Sequence, residues 1–336
     1  PMRKIINDEI GCYLLEAERQ GRCAYPRTNR VQKIMRTRCG YGMLCMPFPR
    51  MYVRSTYWNS LSCKDRFLHI LRTLSHRHPH WVFCGPSAAV VHGIVENYRL
   101  MEHLYVCTTG TSHSRSNNRI IRKSTDVSVV QVVDGIAVTP LHRSIFDCLR
   151  WLDERYASSA VNQAIRLRRT TIGDVRSWTG RLRYIPGKSR ALRILRYAGS
   201  GCENPGEDMM FAAFIMAGFV APETQVAFDD PVSRRRNAYR GDFVWHRQDG
   251  RVIVAELDGR EKYVNPHMTG GRTSLAVMEA ERIRESRLTT QVDAVIRLHF
   301  EDAFNLDGLA RILDSYGVPR ADPMASRSDS VSSGSI

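Results

Sequence analysis

The chain has 336 residues, 43% apolar and 25% charged, with a formal charge of +15. That length fits two or three domains of about 100–200 residues, and the composition excludes a low-complexity chain. No run approaches the ~18 apolar residues of a membrane span, and no signal-peptide pattern opens the sequence. The nine cysteines include no CxxC pair and match neither a zinc ligand set nor a disulfide framework; reduced thiols in a cytoplasmic protein are expected.

Charge is unevenly spread. Residues 1–200 hold 33 Lys and Arg against 13 Asp and Glu, whereas residues 201–336 hold 16 against 21. A basic front suits a polyanion such as nucleic acid, and most of its cations are Arg, the side chain best shaped for phosphate and guanine edges.

In chain order, "KIINDEIGCYLLEAERQG" has helical apolar spacing. "TNRVQKIMRTRCG" follows as a basic helix capped by Thr28 or Asn29. "GYGMLCMPFPRMYV" reads as a wing-like hairpin, with Gly40 and Gly42 supplying its turn. Helix, basic helix and hairpin is the order of a winged helix-turn-helix. It makes Arg27, Arg30, Lys33, Arg36 and Arg38 candidate nucleic-acid contacts. Next come the helix "KDRFLHILRTLSHRHP" and "WVFCGPSAAVVHGI", a strand, turn and short helix. Ser87 and His92 lie five apart on that helix, so they do not face one another and are assigned packing and capping roles. Strands and helices continue to about residue 198, with Arg166, Arg168 and Arg169 clustered as a second basic surface. "GSGCENPGE" at 199–207 reads as a linker.

Beyond it, "PGEDMMFAAFIMAGF" is a helix, with Pro205 suited to its first turn. "ETQVAF", "YRGDFVW" and "RVIVAELD" are strands, "SLAVMEAERIRESRL" a helix and "DAVIRLHF" a last strand, giving α-β-β-β-α-β. Asp242 falls within the second strand, and Glu256 and Asp258 share a face near the end of the third. Antiparallel neighbours would place Asp242 within reach of Glu256, with Glu207 leaning over from the helix. Clustered acids repel unless a cation compensates, and oxygen-only ligation favours Mg²⁺ or Mn²⁺. On the later helix, Glu281 and Glu285 are one turn apart, and ion pairing with Arg282 and Arg284 is the expected role.

The stretches "NPGEDMMFAAFIMAGFVAPETQV", "YRGDFVW", "AELDGREKY", "TGGR" and "EAERIRESRL" resemble the PD-(D/E)XK nuclease superfamily, and in particular its Vsr-like (very short patch repair endonuclease-like) branch. The resemblance covers about residues 203–300. It implies Asp242 and Glu256 as metal ligands, with Asp258 assisting, and Glu207 as the helix acid. Asp258 stands where the superfamily has Lys, so Lys262 or Arg284 is the implied substitute cation. "GMLCMPFPRMYVRSTYWNSLSCKDRFLHILRTL", "CGPSAAVVHGI" and "VVDGIAVTPLHRSIFDCLRWL" resemble AbiEi-family antitoxin-like proteins of type IV toxin–antitoxin systems. That resemblance implies a winged helix binding DNA, and a cognate toxin as partner.

The expected architecture is therefore α/β (α+β). A winged-helix-like region spans 2–60, a basic mixed α/β region 61–198, a restriction-endonuclease-like α-β-β-β-α-β domain 203–318, and a disordered Ser-rich tail 319–336. The expected function is divalent-metal-dependent hydrolysis of DNA phosphodiesters. The alternative is a catalytically silent DNA-binding regulator or antitoxin. No GxxxxGK[ST] loop and no GxGxxG after a strand supports a nucleotide-using enzyme.

Overall fold

A computed structural model describes residues 2–108, 118–125, 127–230, 232, 236, 239–258 and 286–322. The expectations placed on Lys262, Arg284 and the Glu281–Glu285 turn lie outside these residues. The protein is mixed α/β with several small sheets, and it divides into two compact units, Pro1–Trp151 and Leu152–Ile336. The division falls earlier than the expected linker near residue 200, because the helices after Leu152 pack with the C-terminal elements.

In the first unit, α1 (Met2–Arg19) and α2 (Asn29–Gly40) precede an antiparallel hairpin of β1 (Leu44–Phe48) and β2 (Met51–Arg54). The Thr28 hydroxyl accepts from Val31 N–H and so caps α2. Ile10, Leu14 and Ala17 of α1 close on Met35, Leu44 and Tyr52. The hairpin turns at Pro49–Arg50, where Arg50 has φ 63°, not at the glycines; Gly42 (φ 72°) instead follows the C-terminus of α2. Pro47 cannot donate to the ladder, and the register shifts between Cys45 and Phe48. The unit continues with α3 (Ser55–Ser60), α4 (Cys63–Arg77), α5 (Gly85–Val91), parallel β3 (Leu104–Thr108) and β4 (Ile120–Ser124), the hairpin β5 (Gln131–Val133) and β6 (Ile136–Val138), and α6 (Leu141–Trp151). Ser87 and His92 hold backbone: Ser87 Oγ accepts from Tyr105 N–H at 2.8 Å, and His92 Nε2 lies 2.9 Å from Thr139 O.

The second unit opens with α7 (Glu154–Arg166), α8 (Ile172–Arg181) and α9 (Lys188–Leu195), then α10 (Pro205–Met216). Asn204 caps α10 by accepting from Glu207 N–H at 3.0 Å, and Pro205 fills its first turn. A four-stranded sheet follows, in the order β10 (Ala294–His299), β9 (Val252–Asp258), β8 (Tyr239–His246), β7 (Glu223–Phe228). β7, β8 and β9 are antiparallel neighbours; β10 is parallel to β9. One sheet face buries Phe243, Trp245, Ile253, Ala255, Ile296 and Leu298 against Phe214 of α10 and Leu309 and Leu313 of α11 (Leu306–Ser315). Phe214 meets Phe243 and Trp245 edge-on, at 5.0 and 5.1 Å. The other face carries Val244 and Val254 against Leu288 and Val292.

Two expectations change here. The segment expected as a tail from residue 319 begins ordered. Arg320 pairs with Asp314 and donates to Ala217 O at 2.8 Å, and a bridge joins it to Phe219; residues 323–336 lie outside the described set. Arg166, expected on a nucleic-acid surface, turns inward. Its guanidinium binds the fully buried Asp208 through Nη1 at 3.0 Å and Nη2 at 2.6 Å, and donates to Cys202 O at 3.0 Å. Burial holds the Asp208 carboxyl above its ordinary range, and Arg166 and Asn162 offset only part of that rise. This pair ties α7 to α10, which is why the helices after Leu152 belong with the sheet.

Breaking a buried pair by removing one partner leaves an uncompensated charge. Arg166→Ala is expected to destabilise the C-terminal unit by about 3 kcal/mol, read as a lower midpoint in urea denaturation, with Arg168→Ala as the neutral control.

Candidate functional site

The candidate site lies where the β8–β9 ladder opens. The strands pair from His246–Val252 to Phe243–Ala255; the next positions in register are Asp242 and Glu256. There the ladder gives way to a side chain: Asp242 Oδ2 accepts from Leu257 N–H at 3.0 Å. A backbone donor that would otherwise be left unmatched is thus satisfied by a carboxylate.

Glu256, 4% exposed, is held from the other side. Parallel register sets Arg297 of β10 beside it, with Nη1 2.7 Å from Glu256 Oε2. Leucine and isoleucine neighbours of Arg297 face the α10 side, so Arg297 and Glu256 share the opposite face. Asp258, half-buried two residues on, shares that face by strand alternation, as expected.

Glu207 lies at the N-terminus of α10, 5% exposed. It accepts from Glu203 N–H and Gln225 Nε2, each at 2.8 Å, and from Asn204 Nδ2. Burial is the main reason its carboxyl rises to about 7, opposed by the Glu203 N–H and reinforced by the nearby negative charge of Asp242. Glu207 and Asp242 therefore lie close enough for their negative charges to repel. Gln225 joins them: it stands opposite Asp242 in the β7–β8 register, with φ 56°. A non-glycine residue in that region carries strain of about 1–3 kcal/mol, and here it aims its amide at Glu207. Sequence reasoning gave no role to Gln225 or Arg297. A lone glutamine in a strand carries no signal, and Arg297 becomes visible only through the register of β10 on β9.

The donor chemistry suits a hard cation, but the arrangement does not. Among the described residues no three carboxylate, imidazole or thiol groups gather closely enough to hold a metal ion. Asp242 is engaged by Leu257, and Glu256 by Arg297. The expected convergence of four acids on one ion is thus not formed by these side chains.

The expected nucleic-acid contacts divide. Arg27, Arg30, Lys33 and Arg36 are exposed, and Arg38 is half-buried. On α2, Arg30, Lys33 and Arg36 follow helical spacing along the side away from the buried Met35. Arg168 and Arg169 are exposed at the end of α7, unlike Arg166. All nine cysteines are free thiols. Among the described residues no helix is long and apolar enough to cross a membrane.

Comparison with protein-family models, curated proteins and solved structures finds no match.

The raised Glu207 carboxyl sets a sign for stability against pH. Its folded pKa of about 7 lies above the ordinary 4.5, so the folded state holds the extra proton between those values. Glu207 should therefore make folding less favourable as pH rises from about 4.5 to 7. Urea unfolding across that window should show the decline, and Glu207→Gln should flatten it.

Proposed function

We propose that this chain is a DNA-binding regulatory protein whose C-terminal unit has the layout of a PD-(D/E)XK nuclease, with carboxylates that serve the fold. The observation that carries DNA binding is the exposed basic side of α2, leading directly into the β1–β2 hairpin. Helix and hairpin in this order suit a winged helix-turn-helix, with α2 for the major groove and the hairpin as wing. Their guanidinium and ammonium groups would contact phosphates, making affinity fall steeply with salt. The resemblance to AbiEi-family antitoxins agrees with this role and adds a toxin as the proposed protein partner.

A second reading, a divalent-metal-dependent endonuclease, is favoured by a separate observation: Asp242 and Glu256 follow directly on the last paired residues of the two central strands, Phe243 and Ala255. The Glu256–Arg297 ion pair weighs against it, since a cation already neutralises the acid that an ion would need. Binding Mg²⁺ or Mn²⁺ there would require Glu256 to release Arg297, or the two cations to share its oxygens.

Labelled duplex, nicked and mismatched DNA incubated with Mg²⁺ or Mn²⁺ separates the two. The regulator reading expects salt-sensitive binding without cutting. Divalent-dependent cutting, lost in both Asp242→Ala and Glu256→Ala while binding persists, would overturn it in favour of the nuclease. In the same binding assay, Lys33→Glu with Arg36→Glu should weaken duplex affinity at least tenfold on all sequences and lower the salt slope by about 2.

A further inference from the structure

A second concave site lies in the N-terminal unit, between α1, the segment leading into α2, and α4. It is a pocket of about 240 Å³, lined by Arg22, Arg27, His76, Arg77, Tyr25 and Glu16 among others. That is below the roughly 300–1,000 Å³ of pockets for drug-sized ligands. Its frame is fixed by hydrogen bonds. The Tyr13 hydroxyl donates to Tyr25 O at 2.6 Å and accepts from Tyr25 N–H at 3.0 Å, and Thr73 of α4 accepts from Cys23 N–H at 2.8 Å. The Arg77 guanidinium stacks over the Tyr25 ring at 4.0 Å, which sets its plane.

Three guanidiniums and an imidazole thus surround one small space. Glu16 is the carboxylate of the lining, and it accepts from Gln20 Nε2. Among the described residues, no ion pair joins Arg22, Arg27 or Arg77 to an acid. Burial and then the charges of Arg22, Arg27 and Arg77 hold the His76 imidazole below its ordinary range, so the cluster is one that an anion would relieve. Planar guanidiniums in a fork match a phosphate's oxygens better than they match a monovalent halide. Arg27 also immediately precedes the Thr28 cap of α2, so the pocket adjoins the basic helix.

We infer that this pocket binds a phosphate group, held by Arg22, Arg27 and Arg77 with His76 at its side. Its assignment to a phosphate of the DNA backbone rests on the DNA-binding reading above; a free phosphorylated molecule is the other source of the same chemistry.

The probes are inorganic pyrophosphate and a labelled DNA duplex, used with the full chain carrying ¹³C-histidine, the His76 signal being assigned by its loss in His76→Gln. Pyrophosphate should shift the His76 signal saturably in the unmodified protein and raise its titration midpoint. In Arg22→Ala/Arg77→Ala that shift should vanish. For the duplex, the double variant should bind about tenfold more weakly on all sequences, with the salt slope lower by about 1. A pyrophosphate shift with unchanged duplex affinity in the double variant would keep the phosphate pocket and overturn its assignment to DNA. A pyrophosphate shift in a protein that binds no duplex would likewise keep the pocket while the DNA-binding reading failed. A His76 signal indifferent to millimolar pyrophosphate in the unmodified protein would overturn the pocket, and that arm depends on no variant folding.

Discussion

The amide proton of Leu257 has no strand partner where β8 and β9 part, and its capture by Asp242 organises the centre of the C-terminal unit. A buried donor left unmatched costs about 1–3 kcal/mol, so a carboxylate at that point has a structural reason to be there. With Asp242 committed to β9, the negative charge sits near Glu207. Glu207 in turn collects donors from the α10 cap, from Glu203 and from Gln225. The left-handed φ of Gln225 belongs to this network, because the amide reaches Glu207 from the position opposite Asp242. One unpaired N–H and one buried acid thus account for the least regular part of the sheet.

The same accounting bears on whether these acids do chemistry. A hard cation needs oxygens whose lone pairs face a common point. Here Asp242 turns toward a backbone amide and Glu256 toward a guanidinium on the next strand. The Arg297 side chain is about one third exposed, whereas Glu256 is almost fully buried, so the pair screens the acid from an apolar surround more than it adds attraction at a surface. Ion uptake would therefore be an exchange of partners and not the filling of a prepared site.

Much of this fold was legible in the sequence, for reasons that can be named. Period-two strands, the Pro205 first turn and the Thr28 cap each depend on neighbours within a few residues. So did the adjacency of Asp242 and Glu256, since the turn between β8 and β9 is short. The rest was set by longer-range pairing. Arg297 lies 41 residues from Glu256 and meets it through parallel register. Arg166 and Asp208 lie 42 residues apart, and nothing local distinguishes Arg166 from the exposed Arg168 and Arg169. The hairpin turn was misplaced because glycine usually supplies positive φ, and here Arg50 does so, beyond the irregularity at Pro47.

Those long-range pairs also change how the charge should be read. Counting along the chain makes residues 1–200 uniformly basic, but the arginines after residue 151 include many with partners. Arg155 pairs with Asp153, Arg166 with Asp208 and Arg193 with Glu154, and Arg176 donates to Leu195 O. Arg155, Arg166 and Arg193 thus have acidic partners within their own unit. The N-terminal unit has internal pairs too, Arg54 with Glu18, Arg72 with Asp134, and Arg143 and Arg150 with Asp147. Arg22, Arg27, Lys33, Arg36 and Arg77 remain at the surface around α2 and the adjoining pocket. A polyanion would be attracted there, because unmatched charge acts out to a Debye length of about 10 Å at 0.1 M salt, whereas paired charges largely cancel. The excess of arginine thus has two uses in one chain, joining elements in the C-terminal unit and presenting charge in the N-terminal one.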